Sequence, residues 1–135
     1  MQRDDELERF ASIVVDCGYA LHRDLGPGLL ESAYERLMFA SLRQRGLAVE
    51  RQVAIRIEYN GIVIDDAFKA DLVVEGRLLV ELKSVETYSP VHAKQVITYL
   101  RLMRLPLGLL INFGMSSYKE GVRRLGNDYF SPPQA

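Results

Sequence analysis

The chain has one cysteine, Cys17, in 135 residues, and no tryptophan. A lone cysteine excludes an intramolecular disulfide and fits a reducing compartment. Cys17 itself reads as a small buried residue of a helix, without the surroundings of a nucleophile. The only histidines are His22 and His92. Neither has a His-x-x-x-His or cysteine partner, so a zinc site is rejected. No Gly-Lys-Ser/Thr follows Gly26 and Gly28, which excludes a phosphate loop, and no Gly-x-Ser-x-Gly elbow is present. The longest apolar runs, such as Leu107 to Phe113, fall far short of the roughly 20 residues that span a bilayer. Met1 to Arg9 is charged and lacks an apolar export core. These absences predict a cytoplasmic protein with no membrane partner.

Charge of one sign is also lacking. With 17 basic and 18 acidic residues the net charge is −1, so the basic excess that advertises nucleic-acid binding is missing. A basic rim around an acidic site would average out to the same figure. Arg101 and Arg104 on one predicted helix, with Arg123 and Arg124 on another, are candidates for it. Solvated surface arginines are the alternative.

What remains patterns as one domain over residues 1–130, with a disordered tail over 131–135. A first helix is expected from about Asp4 to His22, where Leu7, Phe10, Val14, Cys17 and Leu21 recur at helical spacing. Leu25-Gly26-Pro27-Gly28 breaks it, and a second helix runs from about Leu29 to Arg45, ending at Gly46. Strands follow over Val49 to Tyr59 and Ile62 to Val74, joined by the hairpin signal Asn60-Gly61, with a bend or bulge near Asp65-Asp66. A third strand covers Leu78 to Lys83. A helix over Val91 to Met103, a buried strand over Leu107 to Phe113 and a last helix over Ser117 to Leu125 complete the order α-α-β-β-β-α-β-α. The predicted fold is α/β: a mixed four-stranded sheet flanked by helices.

One constellation carries chemistry. If Glu75-Gly76-Arg77 closes as a three-residue turn, Asp71 pairs with Glu81, with Cβ atoms about 5 Å apart. Like charges so placed normally destabilise a sheet. Lys83, two residues beyond Glu81, points to the same face. The apolar neighbours Leu78-Leu79-Val80, Leu82 and Leu72-Val73-Val74 bury these strands, where an unpaired charge costs several kcal/mol. Two acids and a lysine on one face suit a hard divalent cation and an oxyanion; a surface ion pair of Glu81 with Lys83 or Lys69 is the plainer reading.

Asp71 with Glu81-Leu82-Lys83 on a hairpin preceded by helices resembles the PD-(D/E)xK nuclease superfamily. More narrowly, Gly28-Leu29-Leu30-Glu31-Ser32-Ala33-Tyr34 resembles the signature of the GxxExxY family, a bacterial branch of it. The likeness continues through His22, Gln52, Tyr59-Asn60-Gly61, Ala70-Asp71, Val80 to Lys83, His92, Gln95, Tyr99-Leu100 and Gly108 to Phe113, spanning roughly residues 10 to 125. Ala70 stands where the superfamily pattern usually has proline.

The resemblance implies a restriction-endonuclease-like core and a nuclease that uses Mg²⁺ or Mn²⁺. Asp71 and Glu81 would be the metal ligands, Glu31 an additional acid, and Lys83 the catalytic lysine. Gln95 and Tyr99 would support the site or contact nucleic acid, DNA ahead of RNA. Tyr34 shares a helix face with Glu31 and Glu35. His22 and His92 would act in proton transfer or phosphate contact, or serve the scaffold. A non-catalytic binding module, or a subunit of a larger repair or defence assembly, is the alternative; a homodimer could cut both strands.

Overall fold

A computed structural model of the chain describes residues 4–127; the expected tail and the final residues of the expected domain lie outside them. Helix α1 (Asp5–Leu25) starts on Asp4, whose carboxylate accepts from the Leu7 amide at 3.0 Å. Asp5, Glu6 and Glu8 in its first turn and His22 and Arg23 in its last suit the helix dipole. Helix α2 (Glu31–Gln44) ends ahead of Gly46, which takes φ +89 as a residue just past a helix end must.

Strands β1 (Val49–Tyr59) and β2 (Ile62–Val74) form a long antiparallel ribbon. Ile55 pairs with Phe68 and Ile57 with Ile64, so Arg56 alone opposes the stretch from Asp65 through Ala67. The bulge expected near Asp65-Asp66 is therefore present. Asn60 and Gly61 both take positive φ, the mirror-type turn that matches strand twist. Strand β3 (Leu78–Lys83) pairs antiparallel with β2, and helix α3 (Pro90–Met103) then crosses over to β4 (Leu107–Asn112), which runs parallel to β3.

The last element departs from expectation. The anticipated helix from Ser117 to Leu125 is a single turn, α4 (Tyr118–Gly121), followed by β5 (Val122–Gly126) antiparallel to β4. The sheet has five strands, ordered β1-β2-β3-β4-β5. Val122 and Leu125 fit helical spacing, but a fully buried β4 needs its outer backbone groups paired, and a strand does this where a helix cannot. The change occurs at Gly121, where any Cβ would collide with the Asn112 carbonyl oxygen. The switch to strand also gives two arginines of the expected basic rim different partners. Neighbouring strand residues face opposite ways: Arg124 pairs with Glu8 of α1, whereas Arg123 lies over the Tyr88 ring, 5.0 Å from its centroid.

Two apolar layers sandwich the sheet. Helices α1 and α2 cover Leu72, Val74, Val80, Leu82, Leu109 and Ile111. On the other side Val96, Tyr99 and Leu100 of α3 cover Ile55, Ala70, Val73, Leu79 and Leu110. Among the described residues no helix is long and apolar enough to cross a membrane.

Candidate active site

The β2–β3 register places Leu72 opposite Val80 and Val74 opposite Leu78, around the turn Glu75-Gly76-Arg77. The pairing ends there, and Asp71 and Glu81, which the sequence expects as a pair, are the residues just beyond it. At this point side chains take over from the backbone ladder. The Asp71 amide donates to Glu81 Oε1, and the Leu82 amide donates to Asp71 Oδ2, each at 2.8 Å. Each acid is thereby anchored to the other's strand. Glu81 is 5% exposed and Asp71 is half-buried.

Burial raises both acids. Desolvation, with Asp71's charge behind it, pushes the Glu81 carboxyl up to about 8, against backbone bonding and Lys83. Desolvation also raises Asp71, to about 6, with Glu35 and Glu31 adding to it against the Leu82 amide. Asp71 lies in the field of Glu35 and Glu31, and Glu81 in that of Asp71. Acids so placed cannot all ionise without repulsion; an adjacent cation or shared protons relieve it. Among the described residues no group of three or more His, Cys, Asp or Glu converges into a metal shell. The donors fit a hard, oxygen-seeking ion that needs only one or two protein carboxylates and keeps its waters.

An open cleft of about 590 Å³ leads to Asp71 between α2 and β1, lined by Leu30, Glu31, Ser32, Glu35, Arg51 and Gln52. Glu31 is exposed at its mouth, on the first residue of α2. Glu35, one turn deeper and 7% exposed, was assigned no role from sequence. Its Oε2 receives Arg51 Nε at 3.2 Å, and Gln52 Nε2 donates to its Oε1. The four-residue step from Glu31 was the available signal, but nothing local says which of two acids on one helix face is buried.

Lys83 follows Glu81 on the same strand and faces Asn112 in the β4 register. Burial, with the charges of Glu81 and Asp71 behind it, raises the Tyr99 hydroxyl, against Gln95 one turn away on α3. Tyr34 is fully buried and stacked on Phe113 with centroids 4.2 Å apart. Its hydroxyl donates to the Gly26 carbonyl and accepts from the Leu29 amide, tying down the loop before α2. His22 Nε2 bonds the Met115 carbonyl at 2.8 Å. The Nδ1 of His92 accepts from the Ser89 amide at 3.4 Å, in the capping box of α3. The bonds of both histidines and Tyr34 are thus with backbone of the scaffold.

A model of the PD-(D/E)XK nuclease superfamily matches residues 8–125. The chain belongs to the PD-(D/E)XK nuclease superfamily. Its domains are generally nucleases and typically use divalent metals, so the expected substrate of this superfamily domain is nucleic acid. No curated protein and no solved structure matches the chain.

A second residue that sequence reasoning left without a role supports the PD-(D/E)XK strand end. Asn112 is fully buried; its Oδ1 accepts from the Val85 and Gly114 amides, each at 3.0 Å, and its Nδ2 donates to the Val85 carbonyl at 2.8 Å. These bonds hold the chain just past Lys83. Asn112→Ala strands two donors and an acceptor and is expected to destabilise the protein by at least about 2 kcal/mol in urea unfolding. Asn112→Asp keeps the acceptor but can donate to the Val85 carbonyl only when protonated, so its cost should grow as pH rises.

Proposed function

We propose that this domain is a metal-dependent nuclease hydrolysing phosphodiester bonds of DNA, with RNA the less favoured substrate, and that it belongs to the GxxExxY branch. The observation that carries the reading is the pair Asp71 and Glu81, buried against each other beside Lys83 and opening on a cleft. A fold that gains nothing from such repulsion retains it at the motif positions of a nuclease superfamily.

Asp71 and Glu81 would hold Mg²⁺ or Mn²⁺, with Glu31 assisting from the cleft mouth. A bound ion of this kind lowers the pKa of its water and stabilises charge developing on the phosphate. Lys83 orients the attacking water and neutralises part of the negative charge that builds up as the water adds in line. Gln95 and Tyr99 brace the α3 side of the acids. The free, buried Cys17 supports a reducing, cytoplasmic setting.

The net charge of −1 supports weak intrinsic affinity for DNA, and hence assistance from a second copy or a larger assembly. The exposed Tyr59, Ile62, Val63 and Ile64 at the ribbon tip offer apolar surface for either. The near-neutral charge also leaves a second reading, a nuclease-fold binding module that does not turn over, against which the intact Asp71, Glu81 and Lys83 set weighs.

Linear and circular DNA and RNA, incubated with Mg²⁺ or Mn²⁺ beside Asp71→Ala, separate the two. Metal-dependent cleavage lost in the variant is expected, and circular substrates distinguish endo- from exonuclease action. Equal behaviour of both proteins on every substrate would overturn the nuclease reading.

A further inference from the structure

The β1–β2 ribbon changes sides at the active site. Leu72 of β2 packs under α1 and α2, yet Ala70, two residues earlier and so due on the same face, packs under α3. Their partners are Arg51 and Val53, and the residue between those, Gln52, has φ +51. Neither Gln52 nor Asp71 appears in the pairing register, which resumes on either side of them. A left-handed glutamine is uncommon and must be held by its surroundings. The holder is visible: Glu35 receives hydrogen bonds from the Gln52 side chain and from Arg51, and it lines the same cleft as Asp71.

We propose that Glu35 is a positioning residue for the acid pair: by gripping Gln52 in its left-handed conformation it fixes the bend in the ribbon that aims Asp71 at the Leu82 amide and Glu81. The catalytic consequence rests on the nuclease reading; the geometric one does not. Glu35 is well suited to this and Glu31 is not. The former is 7% exposed with both oxygens engaged, whereas the latter is exposed at the helix start. Arg51 offsets the charge of Glu35, so a buried carboxylate can act as a bracket beside Asp71. Gln52, in turn, supplies the donor that a glycine, the easier residue at positive φ, would lack.

Amide hydrogen exchange on the metal-free protein tests the bracket directly, because the Leu82 amide reports the Asp71 bond. Glu35→Ala is expected to speed Leu82 exchange at least tenfold relative to the β4 amides. Glu35→Gln, which can still accept from Gln52, should stay within about threefold of the parent. Gln52→Gly keeps the backbone conformation without the grip, and should move Leu82 in the same direction as Glu35→Ala even if that variant folds poorly. Unchanged Leu82 exchange in both disruptive variants would overturn the proposal. So would equal damage from Glu35→Gln and Glu35→Ala, which would mean that the ion pair of Glu35 with Arg51, and not its bond to Gln52, holds the site.

Where the parent cleaves DNA, Glu35→Ala should lower kcat at least tenfold with KM for DNA held, and Glu35→Gln should recover most of it. A parent that cleaves nothing would defeat the nuclease reading while leaving the exchange result to decide the bracket.

Discussion

Lys83→Met is expected to abolish DNA cleavage while leaving the fold intact and metal affinity within a few-fold of the parent. Methionine keeps the length and the apolar stem of lysine, so the half-buried packing at the end of β3 survives. The backbone bond from the Phe113 amide to the Lys83 carbonyl, 2.8 Å, is indifferent to the side chain. What disappears is the positive charge that acts on Glu81. Loss of a single charge-stabilising donor from an active site slows turnover by about 10²–10³-fold. Initial rates at saturating Mn²⁺, with the circular dichroism spectrum and a Mn²⁺ titration as controls, check this. Activity within tenfold of the parent would remove Lys83 from the mechanism.

Glu81→Gln should convert a pH-sensitive fold into one much less sensitive, in the absence of metal. The folded-state affinities of Glu81 and Asp71 for protons are raised, from 4.5 to about 8 and from 3.8 to about 6. A carboxyl raised on folding binds its proton more tightly in the native than in the unfolded chain. Below the unfolded value both states are protonated and nothing is lost. As pH climbs through 4.5 the unfolded chain releases its proton first, and stability falls until Glu81 ionises near 8. Each displaced pKa unit costs about 1.4 kcal/mol, so the fall amounts to a few kcal/mol. In EDTA the parent Tm should therefore drop between pH 5 and 8, and Mg²⁺ should restore it at pH 8 by binding the ionised acids. Glutamine retains an oxygen to accept from the Asp71 amide and carries no proton to lose. Its profile should show only the smaller Asp71 contribution, below pH 6. Parallel profiles for parent and variant would show that Glu81 does not titrate across this range.

Much of this architecture can be read from local pattern. The bounds of β1, β2 and β3, the bulge opposite Arg56 and the β2–β3 register from Val74 with Leu78 to Leu72 with Val80 all follow from turn chemistry and two-residue alternation. The superfamily motif sits on that register, so the acid pair and Lys83 came with it. Val122-Arg123-Arg124-Leu125 was not readable in the same way. Four residues with apolar positions three apart satisfy a helix, and only the open side of β4 makes them a strand.

By itself, then, the sequence determined that Asp71 and Glu81 meet and that Lys83 follows on the same strand, because one tight turn at residues 75–77 relates them. Tertiary structure alone decided how those residues are held. Glu35 reaches Gln52 across 17 residues and Asn112 reaches Val85 across 27, and the side change of the ribbon depends on one reversed φ. Periodicity describes neighbours along a helix or strand. It carries no information about a hydrogen bond between distant elements, nor about a backbone angle that only such a bond sustains.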